Sequence, residues 1–276
     1  MIVDSHTHTG TISYQVGKNK VSNLPGEDLI AAMKKYSIDF ALVSSIESAE
    51  FDSEGLPAPP QKQIPQLESF PRLVEFVRQS GDAQSGRPYL KVLLWVKPYT
   101  EKVTEDLEQF ITENRDHIAG LKMHPSLSNI KFTDSRFVPF IKLAEKYDLP
   151  VQVHTEDDGL SNPAFIAEVA EKFPSVKFVM VHMGLDTGND EAINFIRNNH
   201  NVYGDTCEVK TENVIRAINE CGSGKILFGT DAIVHGIDTY ARYLPLIESI
   251  KNNLSKEEAD DVLYRNCTRL FRISLK

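Results

Sequence analysis

The 276-residue chain is 41% hydrophobic and 25% charged, the balance of a globular protein with a full core; this length fits one large α/β barrel or two smaller domains. Its formal net charge of -9 and lack of a basic stretch exclude a surface that tracks a phosphate backbone, so nucleic acid is not an expected partner. No apolar run approaches the roughly 20 residues of a membrane span, and the first residues lack the basic-then-apolar pattern of a signal peptide. The three cysteines, Cys207, Cys221 and Cys267, are widely spaced and read as free thiols, so a cytoplasmic protein is expected.

Ile2 and Val3 lead as a buried strand into Asp4-Ser5-His6-Thr7-His8-Thr9. Residues two apart on a strand share a face, so His6 and His8 project together above Asp4 and form half a site for a divalent metal. A polar loop is expected over 9–23, and then a helix with Leu29, Met33 and Tyr36 on one face. Strand 40–46 is followed by a second long loop, 47–71, carrying Pro57, Pro59, Pro60, Pro65 and Pro71. Both loops follow the carboxyl end of a strand, where a barrel enzyme carries lids and specificity elements.

Further strands are expected over 90–97, 118–124, 150–155, 177–182, 202–206 and 225–231. Runs such as Val92-Leu93-Leu94-Trp95-Val96 suit parallel strands buried on both faces. Phe137, Phe140, Ile141 and Ala144 recur with helical spacing, and Asn162-Pro163 caps a helix bearing Ile166, Val169, Ala170 and Phe173. Eight alternations of strand and helix point to a distorted (β/α)8 TIM barrel, one domain over 1–276. An open doubly wound sheet is the alternative, but no Gly-rich phosphate turn follows an early strand.

Of the eight histidines, His6, His8, His124, His154 and His182 fall at predicted strand ends, and His235 shortly follows the last strand. That strand ends in Phe228-Gly229-Thr230-Asp231. An aspartate there serves as a ligand, as a proton acceptor, or simply as a helix cap. His6, His8, His154 and Asp231 together supply nitrogen and oxygen ligands from three strands and leave a position for water, as a catalytic metal requires.

These stretches, with Gly120-Leu121-Lys122-Met123-His124-Pro125, Val181-His182-Met183-Gly184 and Asn266-Cys267-Thr268-Arg269-Leu270-Phe271, resemble the amidohydrolase superfamily. The likeness is to its amidohydrolase-2 branch, which includes aminocarboxymuconate-semialdehyde decarboxylase and related hydrolases. The resemblance implies a barrel with a metal at the strand carboxyl ends, ligated by His6, His8, His154 and Asp231. It implies that Asp231 is also the general base, and that His182 binds or polarises substrate and shuttles protons.

In binuclear members of that superfamily a strand-four lysine is carbamylated and bridges two metals. In this branch the site is usually mononuclear, and that form is favoured over a carbamylated Lys122 bridging two metals; Lys122 would then be a cation for a substrate carboxylate beside His124. Glu208 and His235 are expected to bind substrate, and Asp205 or Thr206 to contact it or orient a ligand. Cys207 is expected to be a buried apolar residue rather than a nucleophile, and Trp95 to be core. The expected cofactor is one divalent ion, zinc first and manganese or iron as alternatives. The expected activity is hydrolysis of an amide, lactone or ester in a small anionic molecule. Non-oxidative decarboxylation on the same site is the alternative, and a non-enzymatic metal- or ligand-binding barrel the remote one.

Overall fold

The structure, a computed structural model, describes residues 1–16, 21–52, 55–80 and 89–274. It opens with β1 (Val3–Val16), β2 (Val21–Leu24), α1 (Gly26–Tyr36), β3 (Phe40–Ser45) and α2 (Gln66–Ser80). Next come β4 (Tyr89–Trp95), α3 (Glu105–Glu113), β5 (Ile118–Met123), α4 (Pro125–Ser128), α5 (Val138–Lys146), β6 (Val151–Glu156) and α6 (Pro163–Lys172). The remainder is β7 (Phe178–Leu185), α7 (Asp190–Asn198), β8 (Val202–Asp205), α8 (Thr211–Cys221), β9 (Ile226–Leu227), α9 (Leu244–Asn253), α10 (Lys256–Asp260) and α11 (Asn266–Leu270).

The sheet order is β2-β1-β3-β4-β5-β6-β7-β8-β9, with β2 antiparallel to β1 and every other pair parallel. The sheet then closes on itself. Ser5 N donates to Phe228 O (2.8 Å), Asp231 N to His6 O (2.9 Å) and His8 N to Ala232 O (2.6 Å), which joins β1 to the chain beyond β9. The result is a distorted (β/α)8 barrel, bulged in β1, where Ser5 and His6 face the single residue Leu42 between the pairs Asp4–Ala41 and Thr7–Val43.

The continuous apolar runs form these strands because both faces are covered: all of β3 and β5 is buried. Helix faces supply the outer cover, as in α6, where Ile166, Val169 and Ala170 are buried. The Asn162 side chain accepts from Ala164 N at 2.9 Å and starts that helix, a cap that contributes about 1 kcal/mol. Val3 and Phe40, which begin β1 and β3, and Leu227 of the short β9 pack with Cys267, Leu270 and Phe271. The C-terminal segment therefore covers the amino end of the barrel and leaves the carboxyl end open.

Two expectations are corrected. The polar loop over 9–23 is mostly a hairpin: β1 runs on to Val16 and pairs back with β2 through Gly10–Leu24 and Thr11–Asn23, while 17–20 lie outside the described residues. Ile12 is buried between exposed Thr11 and Ser13, a period-two pattern that the polar outward residues obscure. The loop over 47–71 ends early, because α2 begins at Gln66 and contains Pro71; residues 53–54 of it are outside the described residues. Burial of Phe70, Leu73, Val74 and Val77, spaced as one helix face, outweighs the roughly 3 kcal/mol that an interior proline costs.

Asp4 secures the seam of the barrel. It is fully buried, and its carboxylate accepts from His6 N (3.0 Å) and from Thr230 Oγ1. Asp4→Ala leaves both donors without an acceptor, so urea denaturation should show a loss of about 1–3 kcal/mol. Unchanged stability would show that closure does not depend on this carboxylate.

Candidate active site

The open carboxyl end of the barrel holds a cleft of about 540 Å³ lined by His6, His8, Lys122, His124, His154, His182, Glu208, Asp231 and His235, whereas Asp205 and Thr206 lie fully buried behind it and do not line it. His6, His8, Lys122, His154 and His182 stand on strands whose backbones the sheet fixes, while His124, Glu208, Asp231 and His235 lie in the segments that follow strand ends.

His6 and His8 converge, with their Nε2 atoms 2.9 Å apart. Asp231 Oδ1 completes the group at 3.0 Å from His8 Nε2 and 3.6 Å from His6 Nε2. Ser44 Oγ lies 2.9 Å from His8 Nδ1 and fixes that ring from behind. Burial, then the neighbouring Lys122, holds His6 well below the usual histidine range. Burial also pushes Asp231 up, but the hydrogen bond and charge of His8 outweigh it, and the carboxyl is held well below its ordinary range. A neutral imidazole and an ionised carboxylate are the forms that ligate, so this nitrogen–oxygen donor set fits one divalent ion.

His154 is placed differently from the expectation. It shares the cleft, but it is not in the group of potential ligand atoms within 4.8 Å of one another that unites His6, His8 and Asp231. Its Nε2 instead lies 3.2 Å from Glu156 Oε2, and its ring stacks on His124 at 3.8 Å. Trp95 is buried as expected, yet it also forms the cleft wall by stacking on the other side of His124 at 5.3 Å. His124 Nδ1 accepts from Leu127 N (3.2 Å), and burial followed by His154 keeps the ring neutral, so its Nε2–H is the donor left for the cleft.

At the end of β7 the backbone is strained: His182, Met183 and Gly184 have φ of 68°, 47° and 83°. Asn189 Nδ2 holds the turn by donating to His182 O (3.3 Å) and Met183 O (2.8 Å). His182 Nδ1 donates to Cys207 O at 3.3 Å, and burial, then His154, lowers its pKa to about 3. A neutral ring whose Nδ1 carries the hydrogen presents Nε2 as an acceptor. This geometry suits proton acceptance better than the expected polarisation of a carbonyl.

Lys122 is buried on the cleft floor with Nζ 3.1 Å from His6 Nε2. Burial lowers its pKa to about 8, against the pull of Asp231 and Asp205. The rim is acidic. Glu208 (φ 54°) pairs with Arg242 (3.0 Å) and His235 (3.3 Å), and Glu156, Asp158 and Asp186 also line the cleft. Lys122 is therefore the one lysine or arginine among the described lining residues. Ser44 and Glu156 were missed in the sequence. Glu156 had a signal, lying two residues beyond His154 on the same face of one strand; Ser44 had none.

The Amidohydrolase family profile (Amidohydro_2) matches residues 81–273, more than half of the chain. This chain belongs to the amidohydrolase family. The matched span begins after His6 and His8, whose place beside Asp231 comes from the closure of the barrel. No curated protein matches the sequence significantly. Among solved structures, this amidohydrolase is similar to a variant 5-carboxyvanillate decarboxylase from Novosphingobium aromaticivorans DSM 12444, with manganese and 3-methoxy-4-hydroxy-5-nitrobenzoic acid bound (TM-score 0.72, 11% identity, 99% of this chain and 97% of that chain). It is similar to a dihydroxybenzoic acid decarboxylase from Polaromonas sp. JS666 with manganese and the inhibitor 2-nitroresorcinol (TM-score 0.67, 15% identity, 98% and 96%). It is also similar to a Pseudomonas putida protein provisionally assigned as a 2-pyrone-4,6-dicarboxylic acid hydrolase (TM-score 0.68, 11% identity, 100% and 98%). At these identities the likeness concerns the fold. Among the described residues, no helix is long and apolar enough to cross a membrane.

Cys207 lies within 4.8 Å of ligand atoms of His6 and His182, but it is fully buried, and burial pushes its thiol well above the ordinary range. A protonated, inaccessible thiol is a poor nucleophile. A bulky thiol reagent should reach the half-buried Cys221 slowly in native protein, and Cys207 and Cys267 only after denaturation, as read by mass spectrometry. Rapid labelling of folded Cys207 would contradict the buried role.

Proposed function

We propose that this amidohydrolase is a metal-dependent hydrolase that opens an amide, lactone or ester bond in a small carboxylate-bearing molecule. The observation that carries the reading is the convergence of His6, His8 and Asp231 on one point of the cleft floor, beside Lys122. These three residues would hold one divalent ion, zinc or manganese, with His154 facing the same cleft. When bound, that ion supplies Lewis acidity for a carbonyl and acidifies water.

The chain's own groups supply the rest. Asp231, ionised at neutral pH, takes a proton from the attacking water and passes it to the leaving group. His182 Nε2 is a second acceptor, for a substrate hydroxyl or a proton in transit. Lys122 and the His124 Nε2–H are donors, suited to a substrate carboxylate or carbonyl at the floor. The acidic rim leaves the floor as the place for that anion, and the Trp95–His124–His154 stack offers a flat wall to a planar ring. The protein is expected to act in the cytoplasm.

Non-oxidative decarboxylation is supported by the manganese-bound decarboxylases among the similar structures. It would use the same residues, with Asp231 or His182 first taking a proton from a substrate hydroxyl or water and then delivering it to the ring carbon that loses carbon dioxide. Incubation of metal-loaded protein with aromatic carboxylates and pyrone or other lactones in ¹⁸O-water separates the two. Hydrolysis places ¹⁸O in the product, and decarboxylation releases carbon dioxide. Neither outcome across such a panel would contradict the reading.

Metal analysis should find about one divalent ion per chain, and the His6→Ala, His8→Ala double variant should lose it. Retention by the double variant would overturn the ligand assignment. Asp231→Asn keeps one oxygen but removes the base, so turnover should fall by roughly 10²-fold or more with part of the metal retained. Unchanged turnover would assign Asp231 a ligand or structural role only.

A further inference from the structure

Asp205 ends β8 and is fully buried. Its Oδ1 accepts from His182 N (2.9 Å) and Cys207 N (3.2 Å), which secures the strained end of β7. Its Oδ2 points the other way and lies 3.4 Å from His6 Nδ1, a close approach longer than a usual hydrogen bond, and neither of these two buried atoms has a hydrogen-bond partner elsewhere or with the other in this side-chain arrangement. Gly229 makes room for this carboxylate: a Cβ there would meet Asp205 Oδ2 at 2.9 Å and Ser5 Oγ at 3.0 Å.

The opposite edge of the same imidazole fixes the direction of the contact. His6 Nε2 lies 3.1 Å from Lys122 Nζ, and a lysine ammonium has donors only. A neutral imidazole carries one N–H. With Nε2 accepting from Lys122, the hydrogen sits on Nδ1, and the unpartnered Asp205 Oδ2, 3.4 Å away, is the acceptor a small side-chain adjustment would give it. His8 has no such constraint, because its Nδ1 meets the Ser44 hydroxyl, which either donates or accepts.

We propose that Asp205 is a positioning residue that holds the His6 proton on Nδ1 and so aims the Nε2 lone pair at the point shared with His8 and Asp231. A carboxylate behind a ligand histidine fixes its tautomer and orientation and raises its basicity. The same side chain grips the His182 backbone, so one residue sets the orientation of two active-site imidazoles on different strands. The metal-affinity consequence rests on the proposed metal-dependent function; the tautomer does not.

Asp205→Asn separates the two contacts. The amide oxygen still accepts from His182 N and Cys207 N, while the amide NH₂ now faces His6 Nδ1 and forces the hydrogen onto Nε2. Competition with a chelator should show zinc or manganese affinity reduced 10–100-fold, with circular dichroism and thermal midpoint unchanged. Nitrogen-15 NMR of metal-free protein should show His6 protonated at Nδ1 in the unmodified chain and at Nε2 in the variant. Unchanged metal affinity in the folded variant, or reduced affinity without the tautomer change, overturns the proposal. If the variant does not fold, the unmodified protein still decides, because His6 protonated at Nε2 overturns it. A protein that binds neither metal would refute the proposed function and leave the NMR comparison as the test of Asp205.

Discussion

The backbone hydrogen bond from Asp231 N to His6 O, 2.9 Å long, is the constraint on which the site depends. It joins the first strand to the segment that follows the last. An open sheet would leave both edges unpaired, and buried backbone groups there would lack partners. Closing the barrel removes that penalty and, by the same contact, brings Asp231 beside His6 and His8. Closure and site assembly are therefore one event. The strong apolar packing elsewhere, including the C-terminal segment over the amino end of the strands, supports a seam that carries mostly polar residues.

Electrostatics at the seam follows from burial. Desolvation is the leading cause that lowers His6, His124, His154 and His182, and the neutral form it favours is the one that ligates metals and moves protons. Burial acts on the carboxylates in the other direction. It pushes Asp4 and Asp205 up to about 7, whereas contact with His8 keeps Asp231 ionised. Four residues of the cleft, His182, Asp186, Glu208 and Asp231, also have left-handed backbone conformations, with φ of 68°, 62°, 54° and 61°. None is glycine, so these turns are held by their surroundings, as strained residues at functional sites are.

Much of this was legible in the sequence because it depends on short-range periodicity. Continuous apolar runs marked the parallel strands, and histidines at their ends marked one rim of one barrel. The family resemblance rested on the same motifs. The hairpin after β1 was hidden because polar residues alternate with its few inward ones, among them the buried Ile12 and Leu24. Pro71 concealed the start of α2, whose apolar face outweighs it. The position of His154 against Glu156, and the hydrogen bond from His182 to the Cys207 carbonyl, depend on side-chain torsions and on contacts between strands that spacing does not encode. Asp205 was recognisable as a candidate to orient a ligand, but its two-sided contact required the juxtaposition of β1, β7 and β8.

The central claim is that the seam of the barrel is a mononuclear metal site. Anomalous diffraction from crystals grown with manganese tests it most directly. The account predicts one strong peak in contact with His6, His8 and Asp231, with Lys122 unmodified beside it. A second peak bridged by a carbamylated Lys122, or no peak at the seam, would contradict it.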